Sequence, residues 1–124
     1  MLDFGVVKEI AEIEVNGQAC PTLWTPPFRV DVTEAARKSG GMLDVTVKVT
    51  NLWPNRLIGD EHLPSHNEWS GPRIKDIPEW VKRGEKSPTG RFTFTTWHHW
   101  KKDDRLLPSG LLGPVVVRRE RLVK

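Results

Sequence analysis

Two stretches of this chain alternate apolar and polar residues with a period of two, Ala11-Glu12-Ile13-Glu14-Val15 and Leu43-Asp44-Val45-Thr46-Val47-Lys48-Val49. Successive side chains of a strand point to opposite faces, so this pattern marks half-buried strands of an antiparallel sheet. Asn16-Gly17 closes the first stretch. Both residues tolerate the positive φ of a type I′ turn, which predicts a hairpin with Gln18 to Trp24 returning beside Ala11 to Val15. Pro21, Pro26 and Pro27 remove ladder donors, so Leu23 to Phe28 is expected to leave the sheet and cap one end of a core.

The remaining segments extend this picture. Leu2 and Phe4 alternate with polar neighbours until Gly5 interrupts, and they read as a first short strand ahead of Ala11 to Val15. Residues 29 to 32 read as another, and Thr33 to Lys38 as at most two helical turns, capped by Asp31 or Thr33 and stopped by Gly40-Gly41. Residues 61 to 90 are rich in Pro, Gly, Ser and charge, with one short helix expected at Pro78 to Lys82. Arg91 to Trp100 resumes a β pattern, Leu106 to Gly113 reads as a packed-down loop, and Val115 to Leu122 as a last strand. About seven short strands with turn signals between them predict an all-β fold, an antiparallel β-sandwich or jelly roll. Its expected core is Ile13, Val15, Leu43, Val45, Val47, Val49, Phe92, Phe94 and Val116. At 124 residues the chain fits a single domain, residues 1–124.

Composition narrows the function classes. A net charge of +3 with scattered basic residues lacks the stripe that nucleic acid demands, and the basic run from Arg118 reads as a charged strand edge. No apolar run approaches the roughly 18 residues of a membrane span, so no membrane partner is expected. No basic-then-apolar leader is visible, and the single cysteine, Cys20, forms no internal disulfide, which leaves the compartment unknown.

Chemistry concentrates in two places. Residues 51 to 61, NLWPNRLIGDE, come directly after the best strand and read as a loop pinned by Trp53, Leu57 and Ile58. It offers Asn55, Arg56, Asp60 and Glu61. The second place is Trp97-His98-His99-Trp100, where a strand would send Trp97 and His99 one way and His98 and Trp100 the other. Tryptophan faces with planar polar groups are the materials for carbohydrate binding. The competing reading is structural: Arg56 pairs with Asp60, the asparagines bond their own backbone, and the rings fill a core. A zinc site is disfavoured, because Pro64 separates His62 from His66 and adjacent His98 and His99 diverge. No cofactor is expected, although a structural calcium on Asp60, Glu61 and backbone carbonyls stays open. An enzyme would need a carboxylate pair such as Asp60 with Glu79 or Asp103, and sequence does not place one.

NLWPNRLIGDE also resembles a segment near the end of the large bacterial alpha-L-rhamnosidases of glycoside hydrolase family 106. Upstream, FGVVKEIAEIEVNGQACPTLWTPPFRVDVTEAAR is similar to the galactose-binding-like sandwich of those enzymes and of family 2 relatives. Downstream, SPTGRFTFTTWHHWKKDDRLLPSGLLGPVVV resembles the closing part of the same domain. Nearly the whole chain is covered by these three ordered blocks. The resemblance implies a non-catalytic carbohydrate-binding module, or a fragment, of a glycosidase from a family that is typically periplasmic or extracellular, with an oligo- or polysaccharide as partner. The alternative is a purely structural sandwich that buttresses a catalytic domain. The resembled domains carry sequence before Leu2, so an N-terminal strand is expected to be missing and an open edge to be met by homo-oligomerisation.

Overall fold

The computed structural model describes residues 1–120; the part of the expected last strand beyond Glu120 lies outside the described residues. The protein is an all-β, sandwich-like structure of antiparallel sheets with three short helices among the described residues. It falls into two compact units, Met1–Leu52 with Pro108–Lys124, and Trp53–Leu107.

In the first unit, β1 (Leu2–Asp3) lies between β5 (Arg29–Val30) and β10 (Val116–Val117), antiparallel to both. The N-terminal strand is thus flanked on each side. β2 (Val6–Lys8) pairs with β9 (Gly110–Gly113), a strand where the sequence suggested a loop. β3 (Ile10–Val15) is the centre of a third sheet, flanked by β4 (Gln18–Ala19) and β6 (Val45–Thr50). Its register places Ile13 opposite Val47 and Val15 opposite Val45, so the two alternating stretches put their apolar residues on one face. The Asn16-Gly17 turn forms as expected, with φ of 50° and 76°. Asn16 also accepts from the Asp44 N–H through Oδ1 at 2.8 Å, tying the hairpin tip to the entrance of β6.

The return strand is shorter than its sequence suggests. Beyond Ala19 the ladder keeps the Cys20 N–H to the Ile13 carbonyl at 2.8 Å and reciprocal hydrogen bonds between Leu23 and Ala11 at 2.8 and 2.9 Å, and it is interrupted between them where Pro21 supplies no donor. The expected helix is α1 (Thr33–Lys38), preceded by Asp31, whose Oδ1 accepts from the Thr33 N–H and hydroxyl. The core gathers Phe4, fully buried, with Leu2, Val7, Ala11, Ile13, Val15, Phe28, Val30 and Val32. Leu43, Val45, Val47 and Val49 pack against it half-buried, while Val116, expected inside, is at its surface.

Asp3 is buried at the edge of this core. Its carboxylate accepts from the Gly5 N–H at 2.9 Å and meets the Nε atoms of Arg29 and Arg118 at 2.8 and 2.9 Å. Next to it, Gly5 at φ 63° lies so close to the 113–114 backbone that a Cβ there would stand 2.4 Å from the Gly113 carbonyl oxygen. Only glycine fits that approach.

The second unit contains α2 (Pro54–Asp60), a hairpin of β7 (Trp69–Ser70) and β8 (Arg73–Ile74), and α3 (Glu79–Lys82) where a short helix was expected. The hairpin lies inside the segment read as irregular. Gly71, at φ 59°, provides the left-handed first position that a two-residue loop of II′ type takes.

Candidate functional site

Residues 51 to 61 were expected to form a loop, and most of them form α2 instead. Pro54 is the first helical residue, where its missing N–H costs nothing and its fixed φ favours the helix. The Trp53 carbonyl accepts from the N–H groups of Arg56 and Leu57 at 2.9 and 3.0 Å. One turn apart, Arg56 and Asp60 then share a helix side while Ile58 is buried.

Asp60 and Glu61 fall at the carboxyl end of this helix, where the backbone carbonyls disfavour negative charge. Each carboxylate is stabilised by donors from elsewhere in the unit. Asp60, only 3% exposed, accepts through Oδ2 from the N–H groups of Phe92 and Thr93 at 2.9 and 2.7 Å and from the Thr93 hydroxyl at 2.7 Å. Burial alone would push its pKa up. The Thr93 and Phe92 hydrogen bonds and the Arg56 charge together outweigh burial and hold it below the usual carboxylate value. Glu61 bridges Arg91 Nη1 at 2.7 Å and His98 Nε2 at 3.0 Å. Its pKa is again raised by burial and lowered further by His98 and Arg91, with a net fall. Arg91 is itself nearly buried and donates to the carbonyls of Leu63 and Pro64.

These bonds explain why residues 91 to 100 are not the expected strand. The Phe92 and Thr93 N–H groups that would have entered a ladder go to Asp60. Phe92, assigned to the core by its alternation with Phe94, is 80% exposed. Phe94 is half-buried against Trp80 and His66, with ring centroids 5.8 and 6.1 Å apart. Only residues 96 to 98 run alongside β8, through Ile74 N–H to the Thr96 carbonyl and His98 N–H to the Pro72 carbonyl. Without a regular strand, the predicted two-faced division of the tryptophans and histidines disappears: Trp97, His98 and His99 are all exposed and Trp100 is half-buried.

The eight residues singled out from sequence therefore separate by what they touch. Asn55 is spent on a reciprocal clasp with the Leu107 backbone, at 2.9 and 2.8 Å. Asp60 and Glu61 are spent as described. His98 stacks on Trp69 with centroids 4.9 Å apart and planes 13° from parallel, and His99 meets Trp100 edge to face at 5.0 Å. Arg56 and Trp97 are free to reach outward. The Arg56 guanidinium lies 3.9 Å from the centroid of the exposed Phe92 ring, and its Nε is 3.9 Å from Asp60 Oδ1, too far for a hydrogen bond. Trp97, 47% exposed, has the Arg73 guanidinium 5.4 Å from its ring. Such contacts contribute about 0.5–1 kcal/mol at exposed sites, enough to orient a guanidinium while leaving its N–H edge available.

Beside Phe92 opens a cleft of about 350 Å³ lined by Trp80, Lys86, Ser87, Gly90, Arg91 and Phe92 among others. Sequence reasoning missed Phe92 as a surface ring, Arg73 as the partner of Trp97, Thr93 as the donor that satisfies Asp60, and Arg91 as the cation that pairs with Glu61. No local signal marks any of them, since each acts through a partner 24 or more residues away in sequence. Among the described residues, no group of three or more His, Cys, Asp or Glu is gathered to hold a metal ion, and no helix is long and apolar enough to cross a membrane.

The chain is similar to part of two much longer proteins, both of which carry the names of glycoside hydrolases. It is 53% identical over 116 residues to a Formosa agariphila protein named "Putative beta-glucuronidase", a match that covers 94% of this chain and 10% of that protein. It superposes on the structure of a rhamnosidase from Novosphingobium sp. PP1Y with a TM-score of 0.61 and 32% identity, over 92% of this chain and 8% of the rhamnosidase. The chain thus spans about a tenth or less of the length of these relatives. No family model matches it.

Proposed function

We propose that this chain is a non-catalytic accessory domain, of the galactose-binding-like sandwich type, of an alpha-L-rhamnosidase-like glycoside hydrolase, and that its second unit contacts saccharide. The observation that carries the reading is the exposure of Phe92 and Trp97, each with an arginine over its ring. A sugar presents C–H faces to a ring and hydroxyls to planar donors, and these two pairs offer both. The argument against catalysis is chemical. Glycoside hydrolysis needs one carboxyl group protonated near neutral pH, whereas Asp60 and Glu61 are held ionised by their donors.

A second reading, a buttress without sugar affinity, is favoured by one observation: Trp24 and Met42 of the first unit and Trp53 of the second are largely exposed as well. Large apolar side chains left in water mark surfaces that pack on other protein. A glycan array of rhamnose- and galactose-containing oligosaccharides separates the two. Binding by the native chain that is lost in Phe92→Ala with Trp97→Ala, at an unchanged melting temperature, is the expected result. Absence of binding by the native chain leaves the buttress.

A further inference from the structure

We infer that the Arg56–Phe92 pair is specific for an acidic sugar, one whose ring carries a carboxylate; this rests on the saccharide-contact reading and names its ligand class. Phe92 remains 80% exposed with the guanidinium over it, so ring surface is left for the apolar face of a pyranose. The Arg56 guanidinium has no hydrogen-bond acceptor among the described residues, the Asp60 carboxylate oxygen lying 3.9 Å away on a side chain that is only 4% exposed. A planar guanidinium that is oriented but unspent matches a carboxylate by two parallel N–H bonds, which a neutral hydroxymethyl group cannot accept in the same way.

The charge around the ring points in the same direction. Asp60 is satisfied by the Phe92 and Thr93 donors and has Arg56 as its cation at 3.9 Å, Glu61 is paired with Arg91, and Glu85 on the adjoining cleft is taken by Arg83 at 2.8 and 3.0 Å. Lys86, which lines the same cleft, makes no salt bridge among the described residues. The surface next to Phe92 therefore offers the half-exposed N–H edge of Arg56 and the unpaired Lys86, and no carboxylate from these residues without a donor or cation of its own. A neutral sugar gains little from that arrangement, and an acidic one gains a charge-assisted contact.

The test is a titration of the full chain, monitored by amide and indole NMR shifts, with a glucuronic acid–rhamnose disaccharide and with the same disaccharide after reduction of its carboxyl group. The acidic form is expected to bind about tenfold or more tightly than the reduced form, the factor a charged hydrogen bond supplies. Arg56→Ala should abolish that preference, with a fall in melting temperature because Asp60 loses its cation, and Arg56→Lys, which keeps the charge, should keep the melting temperature and restore the preference only in part. Equal binding of the two disaccharides overturns the charge specificity and leaves saccharide contact standing. Binding of neither, even at saturating concentration, overturns both, and a preference that survives in Arg56→Ala overturns the assignment to this arginine.

Discussion

The unit formed by Met1–Leu52 and Pro108–Lys124 closes around Phe4, Ile13, Val15 and six further buried apolar side chains, whereas Trp53–Leu107 buries one large apolar side chain among the described residues, Ile58, beside Asp60 and Thr93. The first is held by a non-directional force that rises with area removed from water. The second depends on a network in which each carboxylate must find its donors with good geometry, and such a network loses much when one member goes. The comparison teaches that one short chain uses two kinds of cohesion, and that they should fail under different insults.

The largest effect is expected where the first kind is broken. Phe4→Ala removes the only fully buried large side chain among the described residues and should cost about 3–5 kcal/mol, read as a fall in the denaturant midpoint. A cost under about 1 kcal/mol would mean that the apolar cluster is not what holds this unit.

Next comes Asp60→Ala, which strands the buried Thr93 N–H at about 1–3 kcal/mol for a buried donor left unsatisfied and also releases the part-buried Phe92 N–H. Hydrogen exchange sharpens the comparison: the amides of Phe92 and Thr93 should lose protection first, while those of Ala11 and Leu23 in the first unit keep theirs. Uniform loss across both units would show that the two kinds of cohesion are not separable.

The smallest effect is in pH. His66 is pushed below its ordinary value of 6.5, chiefly by burial and then by Arg91. It stays neutral in the folded protein while the unfolded chain takes up a proton below 6.5, so stability is lost as pH falls from there toward the lower folded value. Asp60 and Glu61, shifted below 3.8 and 4.5, add stability above those values that disappears as pH falls through them. Asp3 of the first unit, lowered by the Gly5 hydrogen bond and by Arg29 against its burial, shares that acid limb. The range between 6.5 and 4.5 accordingly belongs to the second unit. His66→Gln should flatten the melting temperature across it and leave the steeper acid limb in place.

Legibility followed the same division. Ala11 to Val15, Asn16-Gly17 and Val45 to Val49 were readable because their partners are dictated by a two-residue period and a turn whose φ values few residues accept. Thr33 to Lys38 was readable from its local stop signal, Gly40-Gly41. Residues 91 to 100 misled for a physical reason: Phe92 and Phe94 alternate as a strand would, yet the N–H groups of Phe92 and Thr93 are claimed by a carboxylate more than thirty residues upstream. No window of neighbours contains that information. The site inherits this weakness. Arg56 and Trp97 were identified by type, but their distinction from Asn55, Asp60 and Glu61 depends on which of them the fold has already used.

The contact of Gly5 with Gly113 has a consequence for synthesis. Strands β2 and β9, which that contact locks together, are more than a hundred residues apart in the chain, and the residues of the second unit are made between them. During translation Leu2 to Val15, the β3 hairpin and β6 emerge before the second unit, whereas the neighbours of β1 and β2 in β10 and β9 emerge after it. Domains acquire their structure as their residues emerge, and pairings distant in sequence wait longest. The contiguous segment from Trp53 to Leu107 has all of its own hydrogen-bond partners before Gly113 is joined to the chain. The order in which the nascent protein gains cohesion is therefore the polar unit first and the closed apolar unit second.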